Sequence, residues 1–217
     1  MKKFIFGITG GLGVGKSYTC NKLQEIFKER EAKLAIIEID LIRRYILKNS
    51  TEQRHIEIRK QLIKKLQMEI YEENYSINGR ILGEIIFNDQ KCMNEYRKIV
   101  NGGIKRMVRS EINNREEKYI AIEWSMLVED EYLHLVKNNV LIVSCGKGKV
   151  LKRLKGTDLP KNQLMARITF QPSLAETIQK LKKEKAKYII FDTSTDPTKK
   201  KYRELAKNII NQTYVTE

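Results

Sequence analysis

The sequence is poor in proline, cysteine, histidine and tryptophan, and it lacks long apolar runs. Its 217 residues include three Pro, three Cys, two His and one Trp. With so little proline and no low-complexity segment or internal repeat, nothing marks a linker between independent domains. A chain of this length with 41% hydrophobic residues can bury a substantial core and fits one domain with insertions.

The few cysteines and histidines exclude two kinds of site. Cys20, Cys92 and Cys145 are far apart, odd in number and outside any CxxC arrangement, so we expect neither a disulfide framework nor a zinc site. His55 and His134 have no cluster of ligating residues near them in the sequence. We assign them no metal-binding or acid–base role.

No apolar segment approaches the roughly 18 residues that a membrane-spanning helix requires. The first three residues lead directly into a strand-like segment without the apolar region of a signal peptide. We therefore expect a cytoplasmic protein with no membrane partner. The sequence leaves the oligomeric state open, and a monomer is our working expectation.

Positive charge is in excess, with 42 Lys and Arg against 27 Asp and Glu and a net charge of +15. A basic surface attracts anions, either nucleic acid or a phosphorylated small molecule. The lysines are spread along the chain without a single block, and a bias towards AT-rich codons would also enrich Lys, Ile and Asn. We favour this second interpretation and do not expect a nucleic-acid partner, although a nucleotide-dependent nucleic-acid-binding protein stays as an alternative.

The strongest motif is the glycine-rich run from Gly10 to Ser17, which matches the pattern GxxxxGK[ST]. It follows an apolar, β-favouring segment and opens a segment with helical periodicity. Glycines at these positions let the backbone turn its N–H groups inward, and the following helix adds its positive N-terminal end. The run therefore predicts a site for the β- and γ-phosphates of a nucleoside triphosphate.

Within this run, Lys16 is expected to place a cation against the β- and γ-phosphates, and the Ser17 hydroxyl to ligate Mg²⁺. We predict that eight consecutive residues bind ATP: Gly11, Leu12, Gly13, Val14, Gly15, Lys16, Ser17 and Tyr18.

The remaining pattern predicts an α/β protein with the P-loop NTPase or kinase fold, in which helices flank a parallel sheet. Buried-strand patterns recur at 4–8, 34–40, 119–123, 140–143 and 188–192. Between the second and third, amphipathic helical stretches from Leu41 to about Arg115 form an insertion, broken near 74–79 and again at 101–103. The basic, mostly helical segment 147–185 has the position of a mobile lid, and a helix is expected from about Thr198 to Asn211.

Two carboxylates are predicted at strand ends. Asp40 ends the strand next to the phosphate loop, where ligands bind in open α/β sheets, and it is our candidate general base for an acceptor hydroxyl. Its alternative role is the N-cap of the following helix. Glu123 ends a later strand and is a candidate for acceptor contact or for water-mediated Mg²⁺ binding. Because the guanine-specific NKxD and the DxxG switch motifs of GTPases are absent from the sequence, a small-molecule kinase is favoured.

These motifs are similar, in collinear order, to those of the dephospho-coenzyme A kinase family. GITGGLGVGKS at 7–17 resembles the family's GLTGGIGSGKS, and EIDLIRR at 38–44 resembles its DADxxAR. RILGEIIF at 80–87 is similar to its RxxLxxxIF, and MLVE at 126–129 to the end of its PLLxE. LKR at 151–153 and ARITFQ at 166–171 resemble its lid motifs QxxR and ARxxxQ.

The resemblance implies ATP- and Mg²⁺-dependent phosphorylation of the ribose 3′-hydroxyl of dephospho-CoA. It implies catalytic roles for Asp40, Lys16 and Arg153, ATP contacts from Arg153 and Arg167, and acceptor contacts from Arg44 and Arg80. Three parts follow: a nucleotide-binding core at 1–40, 119–145 and 186–217, a helical CoA-binding domain at 41–118, and a lid at 146–185.

The acceptor-side motifs depart most from the family pattern. NGGI at 101–104 stands where the family has HPxI, and EWSML at 123–127 stands at its DxPLL. Two other readings therefore stay open: a kinase of another small-molecule or nucleoside hydroxyl, and an inactive homologue that binds nucleotide as a regulator.

Overall fold

A computed structural model describes residues 2–69, 74–157 and 160–214. Residues 1, 70–73, 158–159 and 215–217, which fall within the three predicted parts, lie outside the described residues.

A five-stranded sheet forms from the segments with buried, β-favouring sequence. Its strands are β1 Phe4–Thr9, β2 Leu34–Glu38, β3 Tyr119–Glu123, β4 Asn139–Ser144 and β5 Lys187–Asp192. The strand order is β2-β3-β1-β4-β5, and β1 pairs in parallel with β3 and β4, as β4 does with β5. The predicted α/β class with a parallel sheet is confirmed.

Helices occupy the amphipathic segments. They are α1 Lys16–Glu29, α2 Ile39–Arg44, α3 Gln53–Leu66, α4 Gly79–Ile86, α5 Gln90–Asn114, α6 Lys147–Leu154, α7 Lys161–Phe170, α8 Leu174–Lys183 and α9 Lys199–Ile210. A π-helical turn at Tyr45–Asn49 extends α2, and a 3₁₀ turn at Leu133–Val136 precedes β4.

The chain divides into two compact units. The first comprises Met1–Ile37, Asn114–Asp158 and Gln171–Glu217, and the second comprises Glu38–Asn113 and Leu159–Phe170. The segment predicted as a lid is thus shared, because α6 and α8 belong to the first unit and α7 to the second. The three-part division made from the sequence stays a prediction.

In the first unit, α1 and α9 cover one face of the sheet. Their apolar faces supply buried residues such as Leu23, Phe27 and Leu205, which pack with Phe6 of β1 and Leu141 of β4. Burying several such side chains stabilises the unit by about 1.5–3 kcal/mol each. This packing fixes the first turn of α1 relative to the end of β1, where the glycine-rich run lies.

The predicted helix break at 101–103 is wrong, because α5 runs unbroken from Gln90 to Asn114. Glycine disfavours a helix by about 1 kcal/mol, but here tertiary packing determines the outcome. At Gly103 an added Cβ would lie 2.7 Å from Cδ1 of Ile58, so the missing side chain lets α3 approach α5 closely within the second unit.

The position of Asp40 also differs from the sequence-based expectation. β2 ends at Glu38, and Asp40 lies in the first turn of α2. The N-cap of α2 is Glu38, so the alternative role of Asp40 as an N-cap is wrong.

Within the described ranges, no helix combines the length and the apolarity needed to cross a membrane.

Candidate active site

The glycine-rich run begins directly after β1, the central strand of the sheet. β3 lies on one side of β1 and β4 on the other. In an open parallel sheet, ligands bind outside the carboxyl ends of the strands, where successive connections leave in opposite directions. The run from Gly10 to Ser17 occupies this position and ends in the first turn of α1.

Gly10, Gly13 and Gly15 adopt backbone conformations that other residues rarely take. Gly10 has φ 141°, and an added Cβ would lie 2.2 Å from the carbonyl oxygen of Val143 in β4. Gly15 has φ 96° and is the N-cap of α1, with no side-chain hydrogen bond to cap the helix. The N–H groups in the first turn of α1 therefore have no side-chain cap and are suited to an anion.

The polar side chains of the run are placed at the start of α1. Lys16 Nζ donates to the carbonyl oxygen of Gly11 at 3.1 Å, so the ammonium group lies back across the loop. Ser17 and Tyr18 are exposed. The eight residues therefore combine backbone N–H donors, the Lys16 ammonium group and the exposed Ser17 hydroxyl. This combination suits a polyphosphate with a bound metal ion.

Arg153 of α6 contacts the loop from its carbonyl side. Its guanidinium donates to the carbonyl oxygens of Val14 at 2.8 Å, Gly13 at 3.2 Å and Thr193 at 3.3 Å. The Thr193 hydroxyl, which follows β5, donates to the same Val14 carbonyl at 2.6 Å. The sequence analysis did not predict a role for Thr193 at the loop. Its position directly after the predicted strand at 188–192 could have indicated one. Together these contacts fix the loop backbone.

A cavity of about 400 Å³ adjoins this arginine. It is lined by Gly15, Tyr18, Arg153, Thr193, Asp196, Pro197 and Tyr202. Asp196 accepts a hydrogen bond from Lys149 Nζ at 2.5 Å, and this bond holds the pKa of Asp196 below its usual range. Asp196, Pro197 and Tyr202 belong to no sequence motif, and the sequence analysis did not predict them as site residues. The exposed Tyr18 ring beside the loop gives a surface on which a planar base can stack.

In the second unit, Asp40 pairs with a residue that the sequence analysis did not single out. Arg43 Nη2 lies 2.8 Å from Asp40 Oδ1, one helical turn away. The Asp40 side chain is 57% exposed, so the carboxylate is accessible as well as paired. A carboxylate in the first turn of a helix is also stabilised by the helix dipole.

Arg167 of α7 lies with the Asp40–Arg43 pair. Burial lowers the pKa of Arg167, Arg43 lowers it further, and Asp40 opposes both. Its guanidinium carbon is 4.9 Å from the centre of the Phe87 ring, and a Cβ on Gly83 would lie 2.8 Å from its Nη2. A hydrogen bond from Gln163 to Glu84 also ties α7 to α4. The residue predicted to contact ATP thus belongs to the same unit as the candidate base.

The other predicted acceptor residues lie in different parts of the chain. Arg44 ends α2 and Arg80 lies in the first turn of α4, and both are exposed in the second unit. Glu123 ends β3 in the first unit and is partly buried. The predicted roles of these three residues stay predictions.

A parallel sheet with a glycine-rich phosphate loop between its central strand and α1 defines a P-loop phosphotransferase. The model of the Dephospho-CoA kinase family matches residues 4–196. The chain belongs to this family and is a kinase.

Individual relatives are consistent with this assignment. The chain is 32% identical over 179 residues to the dephospho-CoA kinase of Dehalococcoides mccartyi, covering 81% of this chain and 84% of the relative. It is 27% identical over 196 residues to that of Lactobacillus johnsonii, covering 88% and 90%. The crystal structure of TT1252 from Thermus thermophilus aligns with a TM-score of 0.70 at 15% identity over 98% of each chain, which supports the fold alone.

We expect Gly10→Ala to abolish nucleoside triphosphate binding. A Cβ 2.2 Å from a backbone carbonyl oxygen cannot be accommodated without moving the loop or β4. Titration with a fluorescent ATP analogue measures the effect. Gly148→Ala in α6 is the matched control, because an added Cβ there would meet nothing within 4 Å apart from its own helical turn. Wild-type affinity in Gly10→Ala would show that the loop geometry described above is wrong.

Proposed function

We propose that this kinase transfers the γ-phosphoryl group of ATP to the ribose 3′-hydroxyl of dephospho-CoA, the last step of CoA biosynthesis. The observation that carries the proposal is the phosphate loop at the start of α1, in a chain that the family model matches over residues 4–196. Consumption of ATP is compatible with a cytoplasmic enzyme, and we propose that location.

The first unit is proposed to bind ATP. The loop N–H groups and Lys16 would hold the β- and γ-phosphates, while the cavity beside Tyr18 and Arg153 would take the adenine. Since Arg153 already donates to loop carbonyls, it both braces the loop and brings a fixed positive charge close to the phosphates. Arginine stays charged at any working pH, so this charge persists in the transition state.

Mg²⁺ is expected at Ser17, whose exposed hydroxyl stands at the N-terminus of α1. Among the described residues, no group of three or more His, Cys, Asp and Glu side chains could hold a metal ion. A single Ser17 hydroxyl fits Mg²⁺, because this ion typically takes one or two protein oxygens and completes its shell with phosphates and water. When bound, the ion would neutralise charge on the β- and γ-phosphates.

The second unit is proposed to supply the acceptor groups. Asp40 would accept the proton of the 3′-hydroxyl, while the ion pair with Arg43 at 2.8 Å holds the carboxylate in place. Arg44 and Arg80 carry exposed guanidinium groups suited to the phosphates of dephospho-CoA. Arg167, near Asp40, would place a further positive charge close to the transferred phosphoryl group.

In the proposed step, the 3′-oxygen attacks the γ-phosphorus while the bond to the β–γ bridging oxygen breaks. The hydroxyl proton passes to Asp40, and the electron pair of the broken bond leaves with ADP. The protein contributes mainly by positioning the reactants and by stabilising negative charge.

A steady-state assay with ATP, Mg²⁺ and dephospho-CoA tests the substrate directly. We expect turnover with dephospho-CoA and none with its 3′-deoxy analogue, which lacks only the attacking oxygen. Removing Mg²⁺ with a chelator should abolish turnover. Folded, ATP-binding protein that leaves dephospho-CoA unchanged, or that phosphorylates a nucleoside faster, would overturn the substrate assignment.

Asp40→Asn is expected to lower kcat by about 10²–10⁴-fold, because the amide cannot accept the proton. ATP affinity should change little, since Asp40 is not part of the phosphate loop. Steady-state kinetics with an independent ATP titration separates the two effects. Asp89→Asn is the control, because Asp89 caps the start of α5 and Asn caps helices equally well. Equal kcat values in wild type and Asp40→Asn would exclude Asp40 as the base.

A further inference from the structure

One hydrogen bond joins the phosphate loop to a residue far along the chain. Gln171 Oε1 accepts from the backbone N–H of Leu12 at 2.6 Å. The two residues are 159 positions apart, and the contact is partly buried. Both belong to the first unit.

This bond complements the contacts that Arg153 makes. Arg153 holds the carbonyl oxygens of Gly13 and Val14, whereas Gln171 holds the N–H of the residue just before them. Three consecutive residues of the loop are therefore fixed by side chains from outside it. The loop would otherwise lose conformational entropy when it closes on the phosphates.

The backbone around Gln171 limits where its side chain can point. Gln171 directly follows α7, and Pro172 fixes its own φ and restricts the residue before it. Ser173 then begins α8 with a capping box, in which its hydroxyl accepts from the N–H of Glu176 and the Glu176 carboxylate accepts from the N–H of Ser173. A short connection between two helices thus aims the amide at the loop.

We propose that Gln171 is a positioning residue for ATP: its side-chain carbonyl holds Leu12 so that the following loop N–H groups face the phosphates before ATP arrives. This inference rests on the proposed role of the loop in binding ATP. It does not depend on the identity of the acceptor.

If Gln171 blocked the loop instead of holding it, its removal would change ATP affinity in the opposite direction. If Gln171 instead occupied an N–H group that a phosphate oxygen needs, removing its carbonyl would tighten ATP binding. The direction of the change in ATP affinity therefore decides between holding the loop and blocking it.

The test compares Gln171→Met with wild type. Methionine has a similar length and no carbonyl, so the N–H of Leu12 loses its acceptor. We expect ATP affinity, measured by titration without acceptor, to fall about three- to tenfold, the value of one net hydrogen bond. We also expect hydrogen exchange at the Leu12 amide to accelerate. Gln179→Met, on the exposed face of α8, is the matched control and should leave both measurements unchanged.

Gln171→Glu separates the hydrogen bond from charge. Its carboxylate can still accept from Leu12, so slow exchange at that amide should be retained, while the added negative charge weakens ATP binding in a salt-dependent way. Unchanged or tighter ATP binding in Gln171→Met, or weaker binding without faster exchange at Leu12, would overturn the inference. Because these measurements use ATP alone, they stay informative even if dephospho-CoA is not the acceptor.

Discussion

The candidate site depends on how closely the phosphate loop passes β4. Gly10 lies so near the Val143 carbonyl that an added Cβ would be 2.2 Å from that oxygen. Only glycine can make this turn, and the turn sets the direction in which the rest of the loop enters α1. Arg153 and Thr193 then fix the carbonyl side of the loop, and the N–H groups in the first turn of α1, which have no side-chain cap, are suited to an anion.

The proposed chemistry draws on groups from both units. The first unit contains the phosphate loop, Lys16, Arg153 and the cavity beside Tyr18. The second contains Asp40, its partner Arg43, and Arg167. Under the proposed function, the first unit holds the nucleotide and the second unit supplies the acceptor groups.

Much of the first unit could be predicted from the sequence because its signals are local. The apolar runs gave strands within about two residues of their observed bounds, and the glycine motif located the loop. Contacts between distant residues could not be predicted in this way. The bond from Leu12 to Gln171 spans 159 positions, and no periodicity reveals it. The orientation of Arg153 towards loop carbonyls depends on how α6 packs in the first unit.

The second unit was predicted less well because packing outweighs local preference there. Gly102 and Gly103 predicted a break, yet α5 continues through them since Ile58 packs against the bare backbone at Gly103. Asp40 was expected at a strand end, but β2 ends two residues earlier, at Glu38, and α2 begins at Ile39. Arg167 was predicted to contact ATP, and the structure places it in the second unit with Asp40 and Arg43.

The most direct test of the account is a crystal structure with a non-hydrolysable ATP analogue and dephospho-CoA bound. We predict that Lys16 Nζ contacts the β- and γ-phosphates and that an Asp40 carboxylate oxygen lies within about 3 Å of the ribose 3′-oxygen, in line with the γ-phosphorus. A complex in which the 3′-oxygen faces another base, or in which the triphosphate avoids the loop, would contradict it.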